Sequence, residues 1–350
     1  MFTTKEIPLK MKALVLHGVG DLRLDEVNVP EIQKDCVLLN IKNCGICSSD
    51  IERVFVNGTY HFPTIPGHEF SGEIVGVYDE KDKDLLGKSA SVFPLLPCNE
   101  CSACKEKKYA QCSNYNYFGS RCDGAFSEYL VVPKWNLIYF DGMDYDVAAL
   151  CEPAAVALHA TKKVDIVKNN NILVLGTGTI GLLIAMFAKV KGANVVIGAR
   201  RNESMDYAKK LGFDVLNTNN LSEELSRFDE GFDYVFEAVG SNESISQSIM
   251  AAGNFAKIVV VGNPKGDLVL DKNVYWKILR KELTITGTWN SSYSDIVNDW
   301  REALSFMKEN YDIFKSLITN VYSLDEYNNA FDLLRNRKEF KIKVMFKIDR

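Results

Sequence analysis

The sequence has no apolar run long enough to cross a bilayer, since its longest apolar stretches, such as residues 180–190, are far shorter than the roughly 20 residues that a membrane helix needs. It also has no basic block and no stripe of alternating basic and aromatic residues, so neither a nucleic-acid nor a membrane-surface partner is supported. No internal repeat and no low-complexity segment occurs in the 350 residues.

The opening segment does not resemble a secretory signal. The opening segment MFTTKEIPLKMKALVLHGVG lacks a basic start followed by an apolar core and a small-residue cleavage site. This predicts a cytoplasmic protein whose nine cysteines stay reduced. A net charge of −5, 47% hydrophobic residues and 25% charged residues are ordinary for a globular protein with room for two domains.

The two halves of the chain differ in pattern. The first half contains short segments rich in β-branched and aromatic residues, which predict strands at residues 11–18, 36–43, 72–78, 88–94 and 126–133. Their spacing favours a barrel-like β domain.

From residue 171 onward, apolar strands alternate with helices, as in βαβ units that build a parallel sheet. Strands are predicted at residues 171–176, 194–199, 233–240, 257–262 and 283–289, with helices at 180–191 and 203–212. An amphipathic helix is predicted at 295–310, with Ile296, Trp300 and Met307 on its apolar face, and a last strand at 341–348.

Four cysteines crowd into one short loop, CNECSACKEKKYAQC at residues 98–112. They are Cys98, Cys101, Cys104 and Cys112. Four thiolates suit a tetrahedral Zn²⁺ whose ligands all come from the protein, which makes the predicted ion structural. The alternatives are an iron–sulfur cluster and a set of free or paired cysteines.

Three further segments carry potential ligands for a second ion. They are Cys44 or Cys47 in CGICSSD, His68 and Glu69 in PGHEFSGEIVG, and Glu152, Cys151 or His159 in CEPAAVALHA. Each segment alone is a weak indication, because a His beside a Glu usually belongs to an ordinary hydrogen-bond network. The residues by themselves leave this ligand set open.

Taken together, GHEFSGEIVG, the upstream Cys-x-Ser-Asp and the four-cysteine loop resemble the zinc-dependent medium-chain alcohol/polyol dehydrogenase family. Within the family, FPLLPC, FGSRCDGAFSEYLVV and KILRKELTITGTW are most similar to galactitol-phosphate dehydrogenases. The resemblance implies an α/β protein with a GroES-like β-barrel catalytic domain at residues 1–155, which includes a zinc lobe at 95–115. It also implies a Rossmann cofactor domain, a doubly wound parallel sheet, at 156–294, and a return to the catalytic domain at 295–350.

The same resemblance implies the roles of the site residues. Cys47, His68 and Glu152 become the ligands of a catalytic zinc, and Glu69 becomes a fourth ligand or a neighbour that exchanges with water. Glutamate at position 152, where alcohol dehydrogenases proper carry cysteine, points to polyols and away from simple primary alcohols.

Two polar residues near Cys47 also acquire roles through the resemblance. Asp50 matches a carboxylate that orients the ligand histidine, and Ser49 matches the first hydroxyl of a proton relay. Candidate substrate contacts are Arg121 and Arg280 for a phosphate, and Tyr60, Trp289 and Asn290 for the pocket.

The sequence GTGTIG fits the G-x-G-x-x-G pattern between a strand and a helix, as in dinucleotide-binding folds. Gly176 permits the tight turn, Gly178 the approach of the pyrophosphate, and Gly181 the close packing of helix and strand. The backbone amides near Thr179 and Ile180 are predicted to face the phosphates.

The end of the next strand, VIGARRNE, has no acidic residue to accept from an adenosine ribose. Ala199 stands there, and Arg200 and Arg201 follow. Two guanidinium groups suit a 2′-phosphate, so the charges favour NADP over NAD. The resemblance disagrees, because galactitol-phosphate dehydrogenases are usually described as NAD enzymes.

The implied activity is zinc-assisted hydride transfer from a secondary alcohol of a polyol phosphate, by resemblance galactitol 1-phosphate to tagatose 6-phosphate. Sorbitol, threitol and L-threonine are alternative substrates, and a non-catalytic zinc- or dinucleotide-binding protein on the same fold is an alternative of another class. The family also implies a homodimer or homotetramer, with residues 283–289 as a candidate contact edge.

Overall fold

The computed structural model describes residues 2–4, 6–264, 266–336 and 339–348. The chain divides into a first unit, Met1–Glu152 with Ser292–Arg350, and a second unit, Pro153–Ser291. Within the described ranges, no helix has both the length and the apolar character that crossing a membrane requires.

The N-terminal part of the chain consists mainly of short strands joined by turns and short helices. The strands are β1 (Phe2–Thr3), β2 (Lys10–Gly18), β3 (Asp21–Asn28), β4 (Cys36–Ile46), β5 (Glu69–Val77), β6 (Ser89–Val92), β7 (Leu95–Leu96), β8 (Asn116–Tyr117), β9 (Tyr129–Pro133) and β10 (Leu137–Phe140). The helices are α1 (Ser48–Glu52), α2 (Ser102–Lys105), α3 (Tyr145–Ala149) and α4 (Cys151–Thr161).

The following part alternates strands and helices, and the C-terminal part ends on two strands. The alternating elements are β11 (Asn171–Leu175), α5 (Thr179–Val190), β12 (Asn194–Ala199), α6 (Asn202–Lys210), β13 (Asp214–Asn217), α7 (Leu221–Leu225), β14 (Phe232–Glu237), α8 (Asn242–Ala251), β15 (Ala252–Val260), α9 (Lys272–Arg280) and β16 (Thr284–Gly287). The last elements are α10 (Asp299–Glu309), α11 (Tyr311–Leu317), β17 (Ile318–Tyr322), α12 (Tyr327–Arg335) and β18 (Lys343–Lys347).

The first unit is built on an eight-stranded sheet in the order β10-β6-β5-β4-β18-β17, with β1 added to β5 and β9 added to β4. β4 lies antiparallel to both β5 and β18, so the C-terminal strand pairs with a strand from the start of the chain. The rings of Phe126 and Phe346 meet edge to face at 5.0 Å in the core beneath this sheet. This pairing places residues 44–47, 68–70 and 343–346 side by side.

The second unit contains a six-stranded sheet in the order β13-β12-β11-β14-β15-β16, and every neighbouring pair is parallel. Its central strand β11 is apolar at consecutive positions, and Leu173 and Val174 are both fully buried. Such a strand is covered on both faces, as parallel sheets with helices on each side require. The predicted combination of a β domain with a parallel α/β domain is confirmed.

One predicted helix begins later than the sequence pattern indicates. The prediction for residues 295–310 placed Ile296 on the buried face, but α10 begins at Asp299 and Ile296 is 76% exposed. The side chain of Asn298 accepts a hydrogen bond from the backbone N–H of Arg301 and caps the helix there. Trp300 and Met307 are buried as predicted.

Candidate functional site

The sulfurs of the four clustered cysteines converge in the first unit. One ligand atom from each of Cys98, Cys101, Cys104 and Cys112 lies within 4.8 Å of the others. The Sγ–Sγ distance is 3.5 Å between Cys101 and Cys104 and 4.0 Å between Cys98 and Cys104. In a tetrahedral site with Zn–S bonds of about 2.3 Å, sulfurs stand about 3.8 Å apart, whereas disulfide sulfurs are about 2 Å apart. The set therefore fits a zinc ion with four protein ligands.

The thiols of this loop have different proton affinities. Backbone hydrogen bonds from Ser113 and Cys104 lower the pKa of the Cys101 thiol to about 5, which favours the thiolate that ligates metals, whereas burial raises the pKa of the Cys104 thiol to about 12. α2 begins directly after Cys101 and brings Cys104 back towards it. All nine cysteines of the chain fall within the described residues, and all are free thiols.

A second cluster lies where β4 and β5 run side by side. Cys47 follows the end of β4, while His68 precedes β5 and Glu69 begins it. Because the antiparallel register pairs Gly45 with Glu69, one ligand atom from each of Cys47, His68 and Glu69 lies within 4.8 Å of the others. A thiol, an imidazole and a carboxylate form a donor set that suits zinc.

The carboxylate of Asp50 contacts two members of this second cluster, Cys47 and His68. It is fully buried and accepts a hydrogen bond of 2.9 Å from the backbone N–H of Cys47. Its Oδ1 lies 3.4 Å from His68 Nδ1, which is long for a hydrogen bond, so the contact acts mainly through charge. With Nδ1 directed at Asp50, Nε2 is the nitrogen left to bind a metal.

The His68–Asp50 contact changes the pKa of both groups. Burial alone would lower the pKa of His68, but the Asp50 carboxylate outweighs burial and raises that pKa well above its usual value. Burial opposes the charge on Asp50 as well, yet His68 and Arg53 together lower the pKa of Asp50. Asp50 is therefore kept ionised, and its carboxylate holds the His68 imidazole in one orientation.

Arg53 contacts the same group of residues, although no sequence pattern indicated it. Its Nη1 donates to Ser49 Oγ at 2.9 Å and to Asp50 Oδ1 at 3.0 Å. A guanidinium only donates, so it occupies a lone pair of the Ser49 oxygen and directs the hydroxyl proton elsewhere. Ser49 is thus held in an orientation that a solvent-exposed turn serine would not have.

Glu69 forms an ion pair with Lys343, which sequence patterns also did not indicate. Its Oε2 lies 2.5 Å from Lys343 Nζ, and the two side chains are 2% and 4% exposed. Burial lowers the pKa of Lys343, but Glu69 and Cys47 outweigh burial and raise it. β18 carries Lys343 into the site because this strand pairs with β4. The carboxylate of Glu69 is therefore shared between the cluster and a buried ammonium group.

Glu152 lies next to the cluster but outside the three residues whose ligand atoms converge. It stands in the first turn of α4 and is 7% exposed. Tyr117 donates its phenolic hydrogen to Glu152 Oε1 at 3.2 Å, and the Tyr117 ring lies 5.7 Å from that of His68. Burial raises the pKa of Glu152 to about 7, against the opposing effect of His68. A cation at the cluster would favour the ionised form.

The glycine loop lies in the second unit, between β11 and α5. Gly176 has a φ of 115°, and a Cβ on Gly181 would lie 2.2 Å from the Gly176 carbonyl oxygen. Both positions therefore require glycine. A Cβ on Gly178 would meet no described atom within 4 Å, so the space in front of it is open. α5 begins at Thr179, followed by Ile180, and its first N–H groups are available to phosphate oxygens.

The two arginines after β12 lie in different settings. Ala199 ends β12 and is buried. Arg200 Nη1 lies 2.9 Å from Glu243 Oε2, and both side chains are more than half exposed. Such a surface pair is weak, so a competing anion can displace Glu243. Arg201 immediately precedes α6.

Comparisons with known proteins identify the family. The model of the alcohol dehydrogenase GroES-like domain matches residues 33–141, and that of the zinc-binding dehydrogenase matches residues 179–309. The chain is 34% identical to galactitol 1-phosphate 5-dehydrogenase of Escherichia coli (strain K12) in an alignment of length 347 that covers 95% of this chain and 99% of the relative.

The chain belongs to the zinc-dependent medium-chain dehydrogenase family. It is also 28% identical to sorbitol dehydrogenase of Bacillus subtilis (strain 168) over 98% of each protein. The crystal structure of galactitol-1-phosphate dehydrogenase from Escherichia coli superposes with a TM-score of 0.86 at 32% identity, covering 96% of this chain and 100% of that one.

Membership in the medium-chain dehydrogenase family confirms several predictions made from the sequence. The GroES-like and Rossmann folds are confirmed, as is an alcohol dehydrogenase that depends on zinc and a nicotinamide cofactor. Cys44 and Cys151, which the residues alone left open as ligands, are fully buried. Their thiols face the backbone carbonyls of Gly45 and Trp300, at 3.7 Å and 3.6 Å.

Proposed function

We propose that this medium-chain dehydrogenase oxidises a secondary alcohol of a polyol phosphate and transfers the hydride to NAD(P), with galactitol 1-phosphate giving tagatose 6-phosphate as the first candidate reaction. The observation that carries the proposal is the convergence of Cys47, His68 and Glu69 at the β4–β5 pair, with Glu152 adjacent. The 34% identity to galactitol 1-phosphate 5-dehydrogenase over nearly the whole chain supports the substrate class.

We propose Cys47, His68 and Glu152 as the ligands of the catalytic zinc. When bound, zinc supplies a Lewis acid that acidifies the substrate hydroxyl and, in the reverse direction, polarises the ketone. Glu152, whose Oε1 accepts a hydrogen bond from Tyr117 beside His68, would be the carboxylate ligand. Glu69, which is paired with Lys343, serves as the alternative carboxylate close to the ion.

The proton of the substrate hydroxyl leaves through Ser49 in this proposal. Arg53 donates to Ser49 Oγ at 2.9 Å, so the positive charge stabilises the electron-rich oxygen while a proton passes through it. Asp50 fixes the His68 ring and balances the charge of Arg53. Asp50 in α1 and Arg53 directly after α1 thus hold the metal ligand and the relay hydroxyl in one fixed arrangement.

We propose that the four-cysteine loop binds a second zinc ion with a structural role. Four protein sulfurs complete the coordination and leave no position for substrate. The loop has few apolar side chains of its own, so the ion would provide most of its folding free energy.

We propose that the cofactor binds at the glycine loop and that NADP is preferred over NAD. The absence of a carboxylate at Ala199, the exposed guanidinium of Arg200 and the position of Arg201 at the start of α6 support this preference. The ratio of kcat/KM for the two cofactors tests it, and a strong preference for NAD would contradict it.

We also propose a cytoplasmic homodimer or homotetramer in which residues 1–155 and 295–350 carry the chemistry and residues 156–294 bind the cofactor. β16 is the edge strand of the second unit's sheet. Ile285 within it and Trp289 after it are 45% and 54% exposed. Such an edge is suited to pairing with a second copy.

The test of the function is absorbance at 340 nm with a panel of polyol phosphates, free polyols and L-threonine, each with NAD and NADP. The highest kcat/KM is expected with galactitol 1-phosphate, and chelation of the metal should abolish the signal. A higher kcat/KM with sorbitol or L-threonine would replace the proposed substrate with one of the alternatives.

A further inference from the structure

Arg121 occupies an unusual position close to the metal-ligating cluster of the first unit. Its guanidinium carbon lies over two tyrosine rings, 4.1 Å from the centroid of Tyr60 and 4.4 Å from that of Tyr115. Its Nη2 also donates to the hydroxyl of Tyr60 at 3.1 Å. The two tyrosine rings pack against the faces of the guanidinium and restrict its orientation. The N–H groups lie in the plane of the guanidinium, so they stay available at its edge for hydrogen bonds.

The backbone holds this group in place from two loops. The backbone N–H of Arg121 donates to the carbonyl of Tyr117 at 3.0 Å, and that of Tyr60 donates to the carbonyl of Ser120. His61 Nε2 lies 3.3 Å from the carbonyl oxygen of Arg121. Residues 60–61 and 117–121 therefore form one connected surface, and the guanidinium is ordered before any ligand arrives.

A chain of ring contacts connects Arg121 to the proposed site of oxidation. The Tyr115 ring meets the Tyr117 ring at 6.3 Å, and Tyr117 in turn contacts both His68 and Glu152. A substrate whose oxidised carbon lies at the cluster and whose phosphate is at its other end needs a cation a short distance away. Arg121 is the cation that two successive tyrosines, Tyr115 and Tyr117, connect to His68 and Glu152.

The other cations near the cluster are already engaged with carboxylates. Arg53 pairs with Asp50, and Lys343 pairs with Glu69. Among the described residues, no carboxylate lies within ion-pair distance of Arg121, whose polar partners are the hydroxyl of Tyr60 and backbone groups. An anion at Arg121 would therefore not have to displace a carboxylate.

We infer that Arg121 binds the phosphate group of the substrate, held in position for that purpose by Tyr60 and Tyr115. The inference rests on the proposed function and names the residue that makes the enzyme prefer phosphorylated polyols. A planar guanidinium with free edge donors binds a phosphate through two parallel N–H···O bonds, whereas the corresponding free polyol offers only neutral hydroxyls. Arg121 is a specificity residue and takes no part in hydride transfer.

The test compares galactitol 1-phosphate with galactitol in the zinc-loaded enzyme and its Arg121→Gln variant. We expect kcat/KM for the phosphorylated substrate to fall on the order of 10- to 100-fold, mainly through KM, while kcat/KM for galactitol stays constant. Arg121→Lys should lie between the two, because it keeps the charge but loses the planar pair of donors. Constant galactitol oxidation also shows that the variant is folded.

Arg335→Gln is the matched control, since this exposed arginine of the same unit also lies over a ring, 4.4 Å from the centroid of Phe55. It should leave the ratio between the two substrates unchanged. An equal fall for both substrates in Arg121→Gln, or no change for either, would overturn the inference.

A second measurement separates the inference from the proposed function. If the wild-type enzyme oxidises neither substrate, the proposed reaction is wrong, and calorimetric titration with inorganic phosphate then tests the site alone. Weaker phosphate binding in Arg121→Gln than in the wild type and in Arg335→Gln would support the site. Equal binding in all three proteins would refute it.

Discussion

The buried ion pair between Lys343 and Glu69 gives the sharpest prediction of stability. Lys343→Met removes the ammonium group and leaves the Glu69 carboxylate, 2% exposed, without its partner at 2.5 Å. Breaking a buried pair from one side costs about 3–5 kcal/mol, because the remaining charge stays in a poorly solvated position. For a unit of this size, each kcal/mol lowers the melting temperature by about 2–4 °C, so a fall of about 6–20 °C is expected.

Differential scanning calorimetry measures the effect on the first unit in protein from which the zinc at the Cys47–His68 cluster has been removed, because an ion beside Glu69 would compensate the charge that Lys343→Met leaves unpaired. The double variant Glu69→Gln/Lys343→Met should recover most of the loss, since it removes both charges together. Lys12→Met is the control, because the pair between Lys12 and Asp325 is 53% and 60% exposed and contributes little. A melting temperature for Lys343→Met no lower than that of Lys12→Met would refute the reasoning.

The pH dependence of this ion pair has a definite sign. The pKa of Lys343 is raised in the folded protein despite burial, so its stabilising contribution is fully present below the pKa of lysine in the unfolded chain. The contribution is lost as pH rises through the higher pKa of the folded state. The difference in melting temperature between the wild type and Lys343→Met should therefore shrink only in strongly alkaline solution.

Two further predictions concern the groups around the proposed metal and cofactor. Asp50→Asn removes the charge that raises the pKa of His68, so that pKa should fall in NMR titration of the metal-free variant, and zinc affinity should fall about 10- to 100-fold. Unchanged zinc affinity measured with a competing chelator would contradict the role of Asp50. Gly181→Ala places a Cβ 2.2 Å from the Gly176 carbonyl oxygen, so it should distort the loop and weaken dinucleotide binding at least 10-fold, a loss of about 1.4 kcal/mol. Gly18→Ala is the control, because a Cβ at that position would meet no described atom within 4 Å. Equal dinucleotide affinity in the two variants would show that the loop tolerates the clash.

The sequence predicted best those groups whose members are close together along the chain. The four cysteines fall within fifteen positions, and the glycine loop within six, so their spacing alone limits what they can form. The strands of both units follow from alternation or from continuous apolar runs. The start of α10 was misplaced, because the capping side chain of Asn298 decides it and the apolar periodicity does not.

Residues distant in sequence were missed for a physical reason. Lys343 meets Glu69 across 274 positions, and only the pairing of β18 with β4 brings them together. A lysine in a short apolar strand is normally expected to face solvent, so the residue type did not indicate that Lys343 is buried. Arg53 and Tyr117 were also missed, because neither belongs to the residue types that usually bind metals, although Arg53 lies one helical turn from Ser49.

The zinc content of the purified protein, measured by plasma mass spectrometry for the wild type and His68→Ala, tests the central proposal most directly. We expect two zinc ions per wild-type chain, and one ion in His68→Ala with no turnover at 340 nm. Cys104→Ser should instead lose the ion of the four-cysteine cluster, because the sulfur of Cys104 belongs to that cluster. Two zinc ions and normal turnover in His68→Ala would contradict the proposed catalytic site.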